Sequence, residues 1–114
     1  MARDLPKIRG TQIGLKNPAL VDQIKASMRA GQFPYDELRC RIVGIKDLDG
    51  IYHVKDGHHR LAAAMELYKE LRDSSFVRNL LTSGDWQESD HPPNDSRPLP
   101  SRNWWDALRN RFNF

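Results

Sequence analysis

The densest chemistry in the chain is Lys55-Asp56-Gly57-His58-His59-Arg60, followed at once by Leu61-Ala62-Ala63-Ala64. The run sets a carboxylate, two imidazoles and a guanidinium around one glycine, directly before strong helix formers. A glycine turn lets backbone approach a ligand closely. The helix start behind it presents unpaired N–H groups and the positive end of a dipole. An arginine there can grip two phosphate oxygens at once. These residue types point to an oxyanion, and to phosphate in particular. Asp56 also suits a plainer role, capping the turn or the helix start. His53, His58, His59 and Asp56 are close in sequence, but adjacent imidazoles diverge and no cysteine joins them, so no metal held by the protein alone is expected. A magnesium ion arriving with a nucleoside triphosphate fits better, with Asp56 as a direct or water-mediated ligand.

The pattern around this run says what must position it. Ile8 to Ile13 reads as a short strand or an extended lead-in. Asn17-Pro18 is a helix start, with asparagine as cap and proline in the first helical position. Val21, Ile24 and Met28 follow at helical spacing, and Gly31 is placed to end the helix. Gln32 to Glu37 reads as a loop. Arg39 to Lys46 alternates as a strand, with Val43 and Ile45 on one face; Asp47-Leu48-Asp49-Gly50 is a turn, and Ile51 to Val54 returns as the second strand of a hairpin. A helix is expected from about His59 to Arg72, with Leu61, Ala64, Met65, Tyr68 and Leu71 as its apolar stripe on the hairpin.

Beyond Asp73 the pattern weakens. Phe76, Val77, Leu80 and Leu81 read as a strand or short helix, and Gly84-Asp85-Trp86 as a turn. Glu88 to Ser101 holds four prolines and several acids, which predicts an extended connector. Trp104, Leu108 and Phe112 recur every four residues, which predicts a short helix with an aromatic face, suited to docking on the domain or on a protein partner. The division expected is a phosphate-binding domain over 1–83, a connector over 84–101 and an amphipathic C-terminal helix over 102–114.

The bulk numbers set the class. At 114 residues one domain is the default, and 39 % hydrophobic with 29 % charged residues indicates a soluble protein with a modest core. No apolar run is long enough to cross a membrane and no secretory segment opens the chain, so a cytoplasmic location is expected. Cys40 is the single cysteine, which excludes an internal disulfide. The net charge of +3 resides before Ser74, in the part that carries the two histidines and Arg60. A mildly basic balance permits nucleotide or nucleic-acid binding without requiring it.

The helix start Asn17-Pro18-Ala19-Leu20-Val21, the hairpin and then Asp56-Gly57-His58-His59-Arg60-Leu61-Ala62-Ala63 resemble, in that order, the group containing ParB N-terminal domains and sulfiredoxin, also called ParB-like nuclease domains. The resemblance covers roughly Ile8 to Arg72. It implies a compact α+β domain with a small mixed sheet and two main helices. It also implies a nucleotide-phosphate site between the glycine turn and the upstream helix. His59 and Arg60 match the paired residues that touch phosphate, Gly57 the turn glycine, and Gln23 with Ser27 the polar groups one turn apart on the helix. The family's upstream lysine is Leu20 here. The position that is the reactive cysteine in sulfiredoxin is His58, so sulfinic-acid repair is not expected. In the residues after this domain the DNA-reading helices of partition proteins are not expected.

Two functions fit. In the first, the domain promotes phosphoryl transfer, nucleotide hydrolysis or phosphodiester cleavage. Arg60 neutralises developing charge, His59 orients an oxygen or donates a proton, and His58 or Asp56 acts as base. In the second, the same pocket binds a nucleotide as a switch, or phosphate on DNA, without turnover.

Overall fold

A computed structural model describes residues 5–100. It shows an α+β domain with one mixed four-stranded sheet and three helices. In chain order the elements are β1 (Ile8–Arg9), α1 (Pro18–Arg29), β2 (Val43–Asp47), β3 (Tyr52–Asp56), α2 (His58–Leu71), α3 (Ser75–Ser83) and β4 (Asp85–Ser89), with a 3-10 turn at Leu38–Cys40. The sheet order is β1-β3-β2-β4. β3 pairs parallel with β1 and antiparallel with β2, and β4 pairs parallel with β2. The expected C-terminal helix over 102–114, with its aromatic face, lies outside the described residues. No helix among the described residues is long and apolar enough to cross a membrane.

Local chemistry explains the boundaries. Asn17 Oδ1 accepts the N–H of Leu20 at 3.3 Å, and Pro18 occupies a first-turn position that needs no donor. At the other end Gly31, with φ +72°, donates to the Met28 carbonyl at 3.0 Å, and Gln32 donates to that of Ser27 at 2.9 Å. This pair of bonds is the Schellman closure, and it satisfies carbonyls the helix leaves open. In the hairpin, Asp47 Oδ1 accepts from Asp49 N–H at 2.9 Å and Ile51 N–H at 3.1 Å, so one carboxylate oxygen organises the turn.

The core joins Val21 and Met28 of α1, Leu61, Ala63, Ala64 and Leu67 of α2, Val77 and Leu80 of α3, Val54 of β3 and Ile42 just before β2. Helix α2 is central, packed by α1 on one side and α3 on the other. That explains why its buried surface is wider than a single stripe. Ala62, Ala63 and Leu67 are buried although they lie off the predicted stripe, while Leu71, at its end, is 48 % exposed.

Three further expectations are corrected. The strand begins at Val43 rather than Arg39, because Leu38–Cys40 closes a 3-10 turn with Cys40 N–H on the Glu37 carbonyl at 2.9 Å. The core-facing side of this segment carries Ile42 and Gly44, while Val43 is 41 % exposed. Asp85–Ser89, expected as turn and connector, is the edge strand β4. Trp86 is the reason. Its ring lies over Gly44, whose added Cβ would come within 2.6 Å of Trp86 Cζ3 and 2.1 Å of the His53 carbonyl oxygen. The indole N–H donates to the Leu81 carbonyl at 2.9 Å, and the ring meets Tyr52 edge-on at 4.7 Å between centroids. Further on, Gly10 and Arg97 exchange backbone hydrogen bonds at 2.7 and 2.8 Å, so part of the proline-rich stretch is tied to the end of β1.

Candidate functional site

The turn between β3 and α2 is built as the sequence demands. Gly57 has φ +108°, a conformation open to glycine and strained for other residues. An added Cβ would also sit 3.0 Å from Ile42 Cγ1 and 3.1 Å from Arg60 Nη1. As the residue before α2 it has no side chain to cap the helix, and the first turn holds no acid. Leu61 N–H already bonds the Gly57 carbonyl at 3.1 Å. The N–H groups of His58, His59 and Arg60 thus form the open, positive end of α2.

The two histidines have separate fates. His58 is 4 % exposed, and its Nε2 accepts the backbone N–H of Thr11 at 3.0 Å. Burial holds its imidazole below the ordinary range, Asp56 pulls the other way, and His59 adds to the depression. His58 is therefore neutral and bound to the end of β1. Gly10 makes room for it, since a Cβ there would lie 2.9 Å from His58 Nε2. Thr11 Oγ1 donates to the Val54 carbonyl at 3.0 Å and completes the seam. His59 faces the other way and is half-buried. Its Nε2 accepts the backbone N–H of Asn17 at 3.0 Å, which leaves Nδ1 as the donor.

That bond joins the starts of α1 and α2. Farther along, Lys25 pairs with Glu66 at 3.0 Å and with Glu70, and Arg29 pairs with Glu70 at 3.1 Å. Start meets start and later residues meet later residues, so the two helices run in the same direction. Their positive ends lie side by side at the Asp56–Arg60 turn. Burial opposes the charge on Lys25, but the hydrogen bonds to Glu70 and Glu66 outweigh it and raise the ammonium above its usual range.

Arg60 folds back over the turn and donates from Nη1 to the Arg41 carbonyl at 2.8 Å while remaining half-buried. Asp56 and Lys55 are exposed at the end of β3. The structure thus brings Asp56, Gly57, His59 and Arg60 together around the α2 start. It sends His58 inward. Gln23 and Ser27 lie farther along α1 than the Asn17 start that meets His59. They lie about 9 and 15 Å of helix rise beyond Asn17, and Ser27 falls in the stretch of α1 paired with Glu70. The residue that sequence reasoning missed is Asn17 as a contact for His59. Its cap role was legible, but the bond uses its backbone N–H, which no side-chain pattern announces.

Among the described residues no three histidine, cysteine, aspartate or glutamate side chains gather as metal ligands. On the open side of the sheet Val43, Ile45, Lys55 and Gln87 line a shallow depression of about 550 Å³. No protein-family model matches the chain, and no curated protein or solved structure matches it.

Proposed function

We propose that the domain binds the phosphate of a nucleotide or nucleic acid at the paired starts of α1 and α2. The observation that carries this reading is the 3.0 Å bond from Asn17 N–H to His59 Nε2, which locks two positive helix ends beside one another. The bond also turns the remaining ring N–H of His59 into a donor. Free N–H groups of the first α2 turn, that Nδ1–H and the unengaged N–H groups of Arg60 supply donors of the kind a phosphate needs. Exposed Lys16, just before Asn17, adds positive charge. The order of helix, hairpin and glycine turn supports the ParB/sulfiredoxin-like assignment. The pocket so formed draws on the starts of the helices rather than on Gln23 and Ser27.

Magnesium would enter on a nucleoside triphosphate, with the exposed carboxylate of Asp56 as one protein ligand. A nucleotide ligand is in keeping with a cytoplasmic protein. His58 is buried and held by Thr11, which leaves Asp56 as the better candidate base. A non-catalytic binding module is therefore the primary reading. Hydrolysis, with Asp56 as base, is the second and is favoured only by that free carboxylate.

Calorimetric titration with nucleoside triphosphates plus magnesium, and with a short oligonucleotide, tests both. The proposal predicts saturable binding to at least one of them, weakened at least tenfold in His59→Ala and in Arg60→Ala variants that retain the wild-type circular dichroism. Product formation that is lost in Asp56→Asn moves the reading to the enzyme. Absence of heat and product with all ligands removes the proposal.

A further inference from the structure

A second cluster lies away from the helix starts, on the sheet face opposite the one that bears Val54. Arg9 and His53 are register partners on β1 and β3, so their side chains share that face. His53 Nε2 lies 2.8 Å from Asp47 Oδ2, and His53 Nδ1 lies 2.9 Å from Ser96 Oγ. Arg9 Nε donates to the same Ser96 oxygen at 2.9 Å. His53 is 2 % exposed and Asp47 is buried, whereas Ser96 and Arg9 are half-buried and reach the surface.

The proton positions follow from chemistry. The bond to His53 holds the Asp47 carboxyl below its usual range, and the N–H groups of Asp49 and Ile51 on its other oxygen add to this. The carboxylate can only accept, so Nε2 of His53 carries the proton. In the neutral ring Nδ1 then presents a lone pair, to which the Ser96 hydroxyl donates. Arg9 fills one lone pair of that hydroxyl and leaves the other. The order is carboxylate, imidazole and the hydroxyl of a half-buried serine. That is the order of a Ser-His-Asp triad, which recurs on unrelated folds and at unrelated positions in sequence.

We propose that Ser96 is a nucleophilic serine that accepts an acyl group from an activated ester, with His53 as its base and Asp47 as the positioning carboxylate. Ser96 Oγ bonds to the carbonyl carbon while its proton passes to His53 Nδ1. The bond to the leaving alcohol breaks, and the alcohol takes that proton. Water then attacks the acyl-serine by the same route, releasing the acid and restoring the hydroxyl. The Nη groups of Arg9, on the same planar fork as the Nε that holds Ser96, are the donors for the developing oxyanion. The same sheet face continues through Ile45, the register partner of His53, into the depression beside Val43, which offers apolar surface to an acyl chain.

The test is covalent labelling of the full chain with diisopropyl fluorophosphate, read by intact mass and peptide mapping. In this reaction the phosphorus–oxygen bond forms at Ser96, the phosphorus–fluorine bond breaks, and the proton leaves with fluoride through His53. One adduct is expected, on Ser96. Ser96→Ala abolishes it, and His53→Gln slows it at least tenfold. His53 is buried, so its variant can lose the fold. The wild-type adduct and its position decide the matter without it. No adduct on the wild-type chain, or an adduct on another residue that persists in Ser96→Ala, overturns the proposal and leaves the cluster as a clasp holding Ser96 to β1. The phosphate reading is untouched by either result, because labelling needs no nucleotide.

Discussion

Gly57 and His58 show how neighbouring residues in one motif divide the work. Gly57 makes the turn, and its φ of +108°, with a Cβ there only 3.0 Å from Ile42 Cγ1, strains any other residue. Gly57→Ala is expected to cost about 1–3 kcal/mol of stability, measured by urea unfolding. His58 makes the seam to β1. Its imidazole is held below the ordinary range by burial, so the unfolded chain takes up a proton that the folded chain refuses. The stability it supports is full above its ordinary value of 6.5 and declines as pH falls below that, toward its lower folded value. Thermal denaturation from pH 8 to pH 5 is expected to show this loss in the wild type and a shallower slope in His58→Gln. Equal slopes would mean that His58 is not buried neutral. At this scale the sequence was informative about residue type and poor about direction. The His-His pair stood out at once, but nothing in it says which ring turns inward. That is fixed by Thr11 and Asn17, which lie more than forty positions away and contribute backbone N–H groups.

At the scale of elements, the parallel packing of α1 on α2 decides what the site contains. Lys25 between Glu66 and Glu70, with Arg29 on Glu70, sets the pair in register and keeps the two starts level. Lys25→Met removes charge-assisted bonds and leaves two carboxylates near each other. A loss of about 1–2 kcal/mol is expected, and a double-mutant cycle with Glu70→Gln is expected to show coupling. Both helices were legible from their caps: Asn17-Pro18 opens α1, Gly31 closes it, and Gly57 precedes α2. Their mutual direction was not, because charge pairs between elements leave no local pattern. Placing Gln23 and Ser27 beside the turn assumed a packing in which the middle of α1 faces it. The observed register puts the start of α1 there instead.

Over the whole molecule, the sheet extends farther along the chain than periodicity suggests. A stretch with turn residues and acids reads as a connector, yet Asp85–Ser89 pairs along all of β2. The determinant is a single aromatic side chain fitted to a distant glycine. Trp86 covers Gly44, bonds Leu81 and stacks edge-on with Tyr52, a set of partners that only the folded chain brings together. Trp86→Ala is expected to destabilise the entire domain by about 3 kcal/mol in a single cooperative transition. Loss confined to local fraying of β4, read by hydrogen exchange, would mean that the strand is an appendage. Arg97 on Gly10 then carries the chain back to β1, near the seam that holds His58.

Phosphate binding at the paired starts of α1 and α2 is tested most directly by the amide nuclear magnetic resonance spectrum of the uniformly labelled chain, titrated with a nucleoside triphosphate plus magnesium and separately with inorganic phosphate. A phosphate held at the paired helix starts gives saturable shifts centred on the amides of His58, His59 and Arg60 and on Asn17 and Ala19, with Gln23 and Ser27 nearly still. Shifts absent from the α2 start, or centred on the middle of α1, would contradict it.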